Sequence, residues 1–538
     1  MKKLIISAFA AFAVTGAGAQ NSDATLNSVT ETYTLNADGS IDYDYFKSLT
    51  YNTQFAFNSL FGETFIVNNP DFQKLKINEC YTIQKDGTRI DAPDNAFNEV
   101  LPSSVANSAA YNGLREMVVT HTGLETGATA TLSYSIKGLP GGTPVLDIDR
   151  IIPMQGANIK EYKIVVNLPD GDKKLRWSLE GGKVSPVVKG NTYTWTFRNI
   201  PAASGDQYSP VNHTGTLRLT ATTSGSLDEN LSPMTIETRD IFRLPGVVTD
   251  TMSVASKIAA VQKFMRSRVA TGGVTPDLTG YSLRQCADVV GSAYGTPAEK
   301  AAAMAKILRC EGVNAQTVVV FPKEIEVKNV PSISRYLVMA DGKLYDPNGT
   351  GEYNAGLRAD RDVIYDLGGN EVAVAPAAVK VDCSAEIALS VDSVSVIRNN
   401  CTVTGLDGDC RINAGTVAKR APYQVYTIAD PAKGVDSWGM QSLASSRKNA
   451  FEVPYAIDEN CVYTIKLNGV SSFTKDKTEK IENAAGSVEL KVTNNGDSVT
   501  IARHIILKKS IYSPAEYAAV RALLLKWKSP AFRSIIVK

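Results

Sequence analysis

The sequence predicts a multidomain, β-rich protein with a central α+β unit, and three observations carry that prediction. The chain is 538 residues long, which at roughly 100 to 200 residues per domain argues for several cores rather than one. Apolar and polar residues alternate with a period of two from about Ala24 to Thr223, and again after about Lys380. Between those stretches the period switches to 3.6, the spacing of an amphipathic helix.

The N-terminal part, residues 20–245, reads as a β-sandwich. Ala130, Leu132, Tyr134 and Ile136 alternate with polar neighbours, as do Tyr162, Ile164, Val166 and Leu168, then Leu175, Trp177 and Leu179, then Tyr193, Trp195 and Phe197. Asp38-Gly39, Asp86-Gly87, Asp170-Gly171 and Gly181-Gly182 supply the positive-φ residues of the turns between strands, the signature of antiparallel pairing. A polar segment from Ser224 to Asn230 then leads into a connector. In residues 246–379, Ile258, Val261, Phe264 and Met265 stripe a helix from about Ser253 to Val269. Thr296-Pro297-Ala298-Glu299 opens a second helix with a capping box and a first-turn proline. Gly312 ends it, Val313 to Phe321 reads as a buried strand, and a strand from Arg335 to Ala340 turns at Asp341-Gly342. Residues 380–538 return to strand alternation and close with Ser513-Pro514-Ala515-Glu516, a second capping box before an amphipathic helix to about Trp527.

Composition excludes several function classes. Lys plus Arg number 56 against 55 Asp plus Glu, for a net charge of +1, with 43% hydrophobic and 21% charged residues. That is ordinary globular composition, not disorder. A pI near 7.5 without a basic run argues against a nucleic-acid partner. The three histidines, His121, His213 and His504, are far apart, leaving little material for a His-rich metal centre or a His-dependent reaction. Met1-Lys2-Lys3, the apolar run Leu4 to Val14 and the small residues through Ala19 have the three regions of a signal peptide over residues 1–19, so the mature protein is expected in the periplasm or secreted. The run is shorter than the about 20 residues a span needs, so no membrane span is expected.

Seven cysteines leave at least one thiol unpaired within the chain. Cys401 and Cys410 could close a small loop around Leu406 to Asp409 if two strands meet there, while Cys286 and Cys310 lie in the helix-rich stretch. No C-x-x-C run occurs, so neither a redox motif nor a structural zinc site is indicated, and no cofactor or metal is expected.

Over roughly residues 250 to 365 the order of helix, capped helix, strand, strand and Asp-Pro turn resembles the transglutaminase-like branch of the papain-type thiol enzymes. The helix tail Ile307-Leu308-Arg309-Cys310-Glu311-Gly312-Val313-Asn314-Ala315 and the turn Tyr345-Asp346-Pro347-Asn348 carry the likeness. Ile83 to Gly87, Gly123 to Gly127 and Ser513 to Tyr517 are similar to segments of secreted proteins in which a β domain of unknown function precedes such a core and a smaller β domain follows.

The resemblance implies a cysteine at the helix start, a histidine at a strand start and an aspartate in the Asp-Pro turn. A thiol there gains thiolate character from the helix N-terminus, the imidazole shuttles the proton and the aspartate holds the ring. Those positions fall on Pro297, Ser334 and Asp346, so the resemblance implies a core that has lost its cysteine and histidine. Thr296 reads as a cap, Cys310 as a small buried apolar group and Asp346 as a turn residue. The expected role is binding a peptide, a glycan or an envelope protein without cleaving it. The alternatives are an active thiol protease or acyltransferase, for which Cys286 with Asp346 is the candidate pair, and an envelope scaffold.

Overall fold

The computed structural model describes residues 22–538 apart from 107, 141–144, 172–173 and 236–240. The expected signal peptide, 1–19, lies outside the described residues. The protein is β-rich, with several sheets gathered around separate cores.

The N-terminal region is built on an eight-stranded sheet, in spatial order Val187–Lys189, Thr192–Ile200, Ala157–Asn167, Ala24–Leu35, Ile41–Tyr51, Thr129–Gly138, Gln73–Ile83 and Arg89–Asp91. Two three-stranded sheets lie against it. One holds Arg176–Glu180, Arg218–Thr222 and Asp147–Ile151, the other Glu63–Asn68, Arg115–Thr120 and Phe97–Val100. Both cover the same face. Ala130 packs into the core beneath the first small sheet, while Leu132 and Tyr134, two and four residues on and therefore on the same side of the strand, pack beneath the second. The two small sheets thus share one face and part over its middle. One expectation is corrected: Ala24–Leu35 pairs in parallel with Ala157–Asn167, so the sheet is mixed. Alternation reports one buried face and is blind to strand direction.

In the central region, Lys343–Tyr345, Arg335–Ala340, Ala315–Pro322 and Asp362–Asp366 form an antiparallel sheet in that order. The Pro297–Cys310 helix lays Ala301, Met304, Ala305 and Leu308 on one face of it, against Ala315, Val338 and Ala340, and is backed by the Val254–Arg268 and Cys286–Gly291 helices. Gly312 sits at φ 78° after the helix, the left-handed conformation that glycine adopts without a Cβ penalty.

The C-terminal region holds a six-stranded sheet ordered Val394–Thr404, Val379–Ser390, Ile457–Asn468, Ser498–Leu507, Gly486–Asn494 and Lys477–Asn483. The Tyr517–Trp527 helix buries Tyr517, Val520, Leu523, Leu524 and Trp527 in the core of this region. This helix begins later than its sequence box suggests. The Glu516 carboxylate accepts from Ser513 N–H, but the Ser513 hydroxyl donates to that carboxylate instead of capping the helix. Cys310 is half-buried, its sulfur accepting from Phe242 N–H at 3.4 Å, rather than a buried apolar group.

The Ser224–Asn230 segment is not an exposed joint. Ser224, Asn230 and Leu231 are buried, and Asn230 donates to both Asp147 oxygens while its own carbonyl accepts from Val330 N–H. Nearby, the Asn329 amide donates to Ile148 O at 2.8 Å and Ala221 O at 2.9 Å, stitching the central region to the N-terminal sheets. Arg361 pairs with Glu452, and Ser510 donates to Asp360, across to the C-terminal region.

Candidate functional site

Where the two small sheets part, the exposed middle of the large sheet becomes the floor of a cleft of about 1010 Å³ that the central region roofs. The floor is aromatic: Tyr33, Tyr43, Tyr45, Tyr134 and Tyr162 line it, while Tyr281, Tyr336 and the helix start Thr296-Pro297-Ala298 close it from above. Tyr33 and Tyr43 rings lie 4.9 Å apart, and Tyr45 and Tyr134 5.0 Å apart. Period-two spacing explains the cluster, because Tyr43 and Tyr45 share a strand face and Tyr134 is the register partner of Tyr45.

Charged groups stand among these rings. Glu31, 2% exposed, accepts from the hydroxyls of Tyr33 and Tyr162 at 2.6 Å each. Arg150 donates to Glu31 at 3.0 Å and to the Tyr33 hydroxyl at 3.0 Å, and its side chain stays 38% exposed. Burial, followed by the Glu31 charge, pushes the Tyr33 phenol far up, so it stays a neutral donor. Asp147 also lines the cleft, and burial raises its carboxyl to about 6 against the hydrogen bonds from Thr222 and Asn230. The arrangement offers flat aromatic faces with a fixed, partly open guanidinium between them. In the sequence, Tyr134 and Tyr162 fall among the apolar residues of alternating strands, while Tyr33, Tyr43 and Tyr45 carry no mark of their own. The signal available was an inward face that carries a phenol at alternate positions, too polar for a closed core.

The helix start that roofs the cleft is a structural junction. Thr296 Oγ1 accepts from Glu299 N–H at 3.2 Å, and Glu299 returns the bond to Thr296 N–H at 2.9 Å, as the capping box predicts. Glu299 is fully buried and accepts from the Arg284 guanidinium at 2.9 Å and from the Tyr111 hydroxyl of the N-terminal region at 2.7 Å. Burial alone would raise its carboxyl, but Arg284 and Tyr111 hold it below the usual range.

The three positions that the resemblance implies part company around this junction. Pro297 is the first helical residue and faces the cleft. Ser334, just before the Arg335–Ala340 strand, spends both its N–H and its hydroxyl on Val320 O. Asp346 is claimed by Arg335 at 2.8 Å and by Asn348 N–H at 2.8 Å. Its turn docks on the far side of the helix start, where Asn348 accepts from Lys300.

Cys286 opens its short helix but is 3% exposed. Its thiol points at Ala303 O, 3.8 Å away, and burial pushes it up to about 12. A thiol–imidazole contact occurs elsewhere: Cys80 Sγ lies 3.8 Å from His121 Nδ1 in the N-terminal region. His121 Nε2 is 3.2 Å from Thr64 Oγ1, which accepts from Lys47 at 2.6 Å. Burial, then the Lys47 charge, lowers the imidazole to about 3, and burial raises the Cys80 thiol, so this pair is neutral at both members. Among the described residues, no cysteine or histidine lines the cleft.

Comparison with known proteins agrees with this architecture. Residues 37–204 match the domain of unknown function DUF3857, and residues 423–537 match the domain of unknown function DUF3858. A crystal structure from Parabacteroides distasonis ATCC 8503, described as that of a candidate protease, is 31% identical, covers 96% of this chain and 99% of its own, and superposes with a TM-score of 0.79. A CBM3a-L domain from a Clostridium thermocellum scaffoldin is 16% identical over 22% of this chain and 68% of its own, with a TM-score of 0.15. An M1 zinc metallopeptidase from Deinococcus radiodurans is 9% identical over 45% of this chain and 53% of its own, with a TM-score of 0.20. No curated protein matches the chain. No helix among the described residues is long and apolar enough to cross a membrane. With domains of unknown function at both ends and near full-length likeness in sequence and fold, the chain belongs to the same family as the Parabacteroides distasonis protein.

Proposed function

We propose that the protein is a secreted or periplasmic, non-catalytic member of the transglutaminase-like group, whose cleft binds a peptide or glycan chain without cleaving it. The observation that carries this reading is the cleft wall itself. A helix start bears on an open, tyrosine-lined cleft, yet its first residue is Pro297, which has neither a nucleophile nor an N–H. Clustered, mutually tilted phenols and a partly exposed Arg150 suit the flat faces and polar edges of sugar rings or peptide groups. An active reading through Cys286 is disfavoured because a thiol at about 12, packed against a backbone carbonyl, supplies almost no thiolate at neutral pH. The domains are proposed as residues 20–245, 246–379 and 380–538, with the exposed Ala375-Pro376 stretch as the joint most open to limited proteolysis.

The test is binding to peptide and glycan arrays, followed by titration of a hit. Tyr43→Ala and Arg150→Ala should each weaken binding by ~10-fold or more with the fold intact by circular dichroism. Amide and ester substrates should show no turnover above background. Turnover that Cys286→Ala abolishes would overturn the proposal, as would binding that both cleft variants leave unchanged.

A further inference from the structure

Four cysteines converge in the C-terminal sheet, of which sequence spacing relates only Cys401 and Cys410, both of them free thiols in the fold. Cys383 is the register partner of Cys401 on the neighbouring antiparallel strand and of Cys461 on the neighbouring parallel strand. Residues opposite one another project to the same face, so three thiols form a row across three strands. Cys410 folds back from the loop beyond Thr404 and brings its sulfur to 3.9 Å from that of Cys383. The sulfurs of Cys383, Cys401 and Cys410 all lie within 4.8 Å of one another, while the Cys461 thiol, next along the row, donates to Glu459 at 3.6 Å.

Two independent features distinguish this cluster from incidental packing. The first is spacing: sulfurs arranged tetrahedrally at about 2.3 Å from zinc stand ~3.8 Å apart, whereas a disulfide needs ~2.05 Å. The 3.9 Å of the Cys383–Cys410 contact matches an edge of such a tetrahedron. The second is the path of the backbone. Cys410 lies off the sheet, in the loop between the Val394–Thr404 and Thr416–Arg420 strands, and that loop turns it back onto the sulfurs of the two strand cysteines. Cys383 is buried while Cys401 and Cys410 are half-buried, so the cluster can be reached from solvent.

We propose that Cys383, Cys401 and Cys410 form a three-thiolate site for a thiophilic d10 cation of the zinc class, with Cys461 the further thiol in the row. Contact with Cys383 and burial push the Cys401 thiol up, and burial pushes up that of Cys410, so the free ligands are protonated at neutral pH. Binding is therefore an exchange in which three S–H bonds break, three metal–sulfur bonds form and three protons are released to solvent, leaving a zinc tris-thiolate of charge −1. The ion would tie the Cys410 loop to the sheet without any part in the cleft chemistry.

The experiment uses the full mature chain, reduced, freed of metal and titrated with Zn²⁺ and then with Co²⁺. About one ion per chain should bind, Co²⁺ should give sulfur-to-metal charge transfer with the visible bands of a tetrahedral thiolate site, and bound Zn²⁺ should shield Cys401 and Cys410 from alkylation until a chelator is added. Cys401→Ser and Cys410→Ser should each weaken binding by ~100-fold or more, and Cys286→Ser should not. If a serine variant fails to fold, the alkylation map of the unsubstituted protein decides the matter. The proposal is overturned by absence of the cobalt–sulfur transition, by Zn²⁺ that leaves Cys401 and Cys410 freely alkylated, or by a disulfide between two of the three cysteines in metal-free protein as isolated.

Discussion

The start of the Pro297–Cys310 helix and the thiol row at Cys383 are opposites. The helix start is strongly marked in sequence, by a capping box and a first-turn proline, and the structure uses it as a joint: Glu299 satisfies Thr296, Arg284 and Tyr111 at once. The thiol row carries no sequence mark beyond the spacing of Cys401 and Cys410 and yet gathers three thiols within 4.8 Å of one another. Local signals report how a chain turns and caps itself, which depends on residues three or four apart. Reactive clusters depend on which strands lie side by side, and that is settled at long range.

The variant expected to move stability furthest is Glu299→Ala. It strands the Arg284 guanidinium and the Tyr111 hydroxyl in a dry junction, so denaturant unfolding should show a loss of ~3–5 kcal/mol. A loss below ~1 kcal/mol would mean that the junction is solvated, and that the helix start is freer for chemistry than its bonds suggest.

The next effect is one of pH. The Asp147 carboxyl is raised from 3.8 to about 6 in the folded protein, so its protonated form favours folding. That contribution is fully present below the unfolded value near 3.8 and is lost as pH rises through about 6. Stability should therefore decline by on the order of 2 kcal/mol from this group between pH 4 and 7. Asp147→Asn should flatten that part of the profile, measured as unfolding free energy against pH. An unchanged slope would show that Asp147 is not the group responsible.

Asn329→Ala tests the same docking seam from the other side. Losing the amide leaves Ile148 O and Ala221 O without their donor, and a cost of about 2 kcal/mol is expected in equilibrium unfolding. A neutral result would place the strength of the seam elsewhere.

Pro297→Cys should have the smallest effect, below ~1 kcal/mol, because a first-turn N–H has no intrahelical partner to lose or gain. The new thiol should alkylate only weakly. Adding Ser334→His supplies a base, but Arg335 holds the Asp346 carboxylate, so amide turnover should stay at background until Arg335 is also replaced. Turnover in the double variant would show that the geometry the resemblance implies is available here and would erase most of the contrast between the two regions.

The sequence by itself determined the elements whose causes are local. The helix from Val254 to Arg268, the capped helix with its Gly312 terminator and the alternating strands around Ala130, Ile164 and Trp195 all follow from periodicities and caps contained within a few turns. Tertiary structure alone decided the parallel pairing of Ala24–Leu35 with Ala157–Asn167 and the docking of Asn230 into the seam. It also decided the parting of two small sheets that opens a tyrosine floor. It placed Cys383, Cys401, Cys410 and Cys461 together although as many as 78 residues separate them. Side-chain direction along a strand is fixed by neighbours in sequence, but what lies opposite is fixed by register and strand order, which come from burying whole faces against one another.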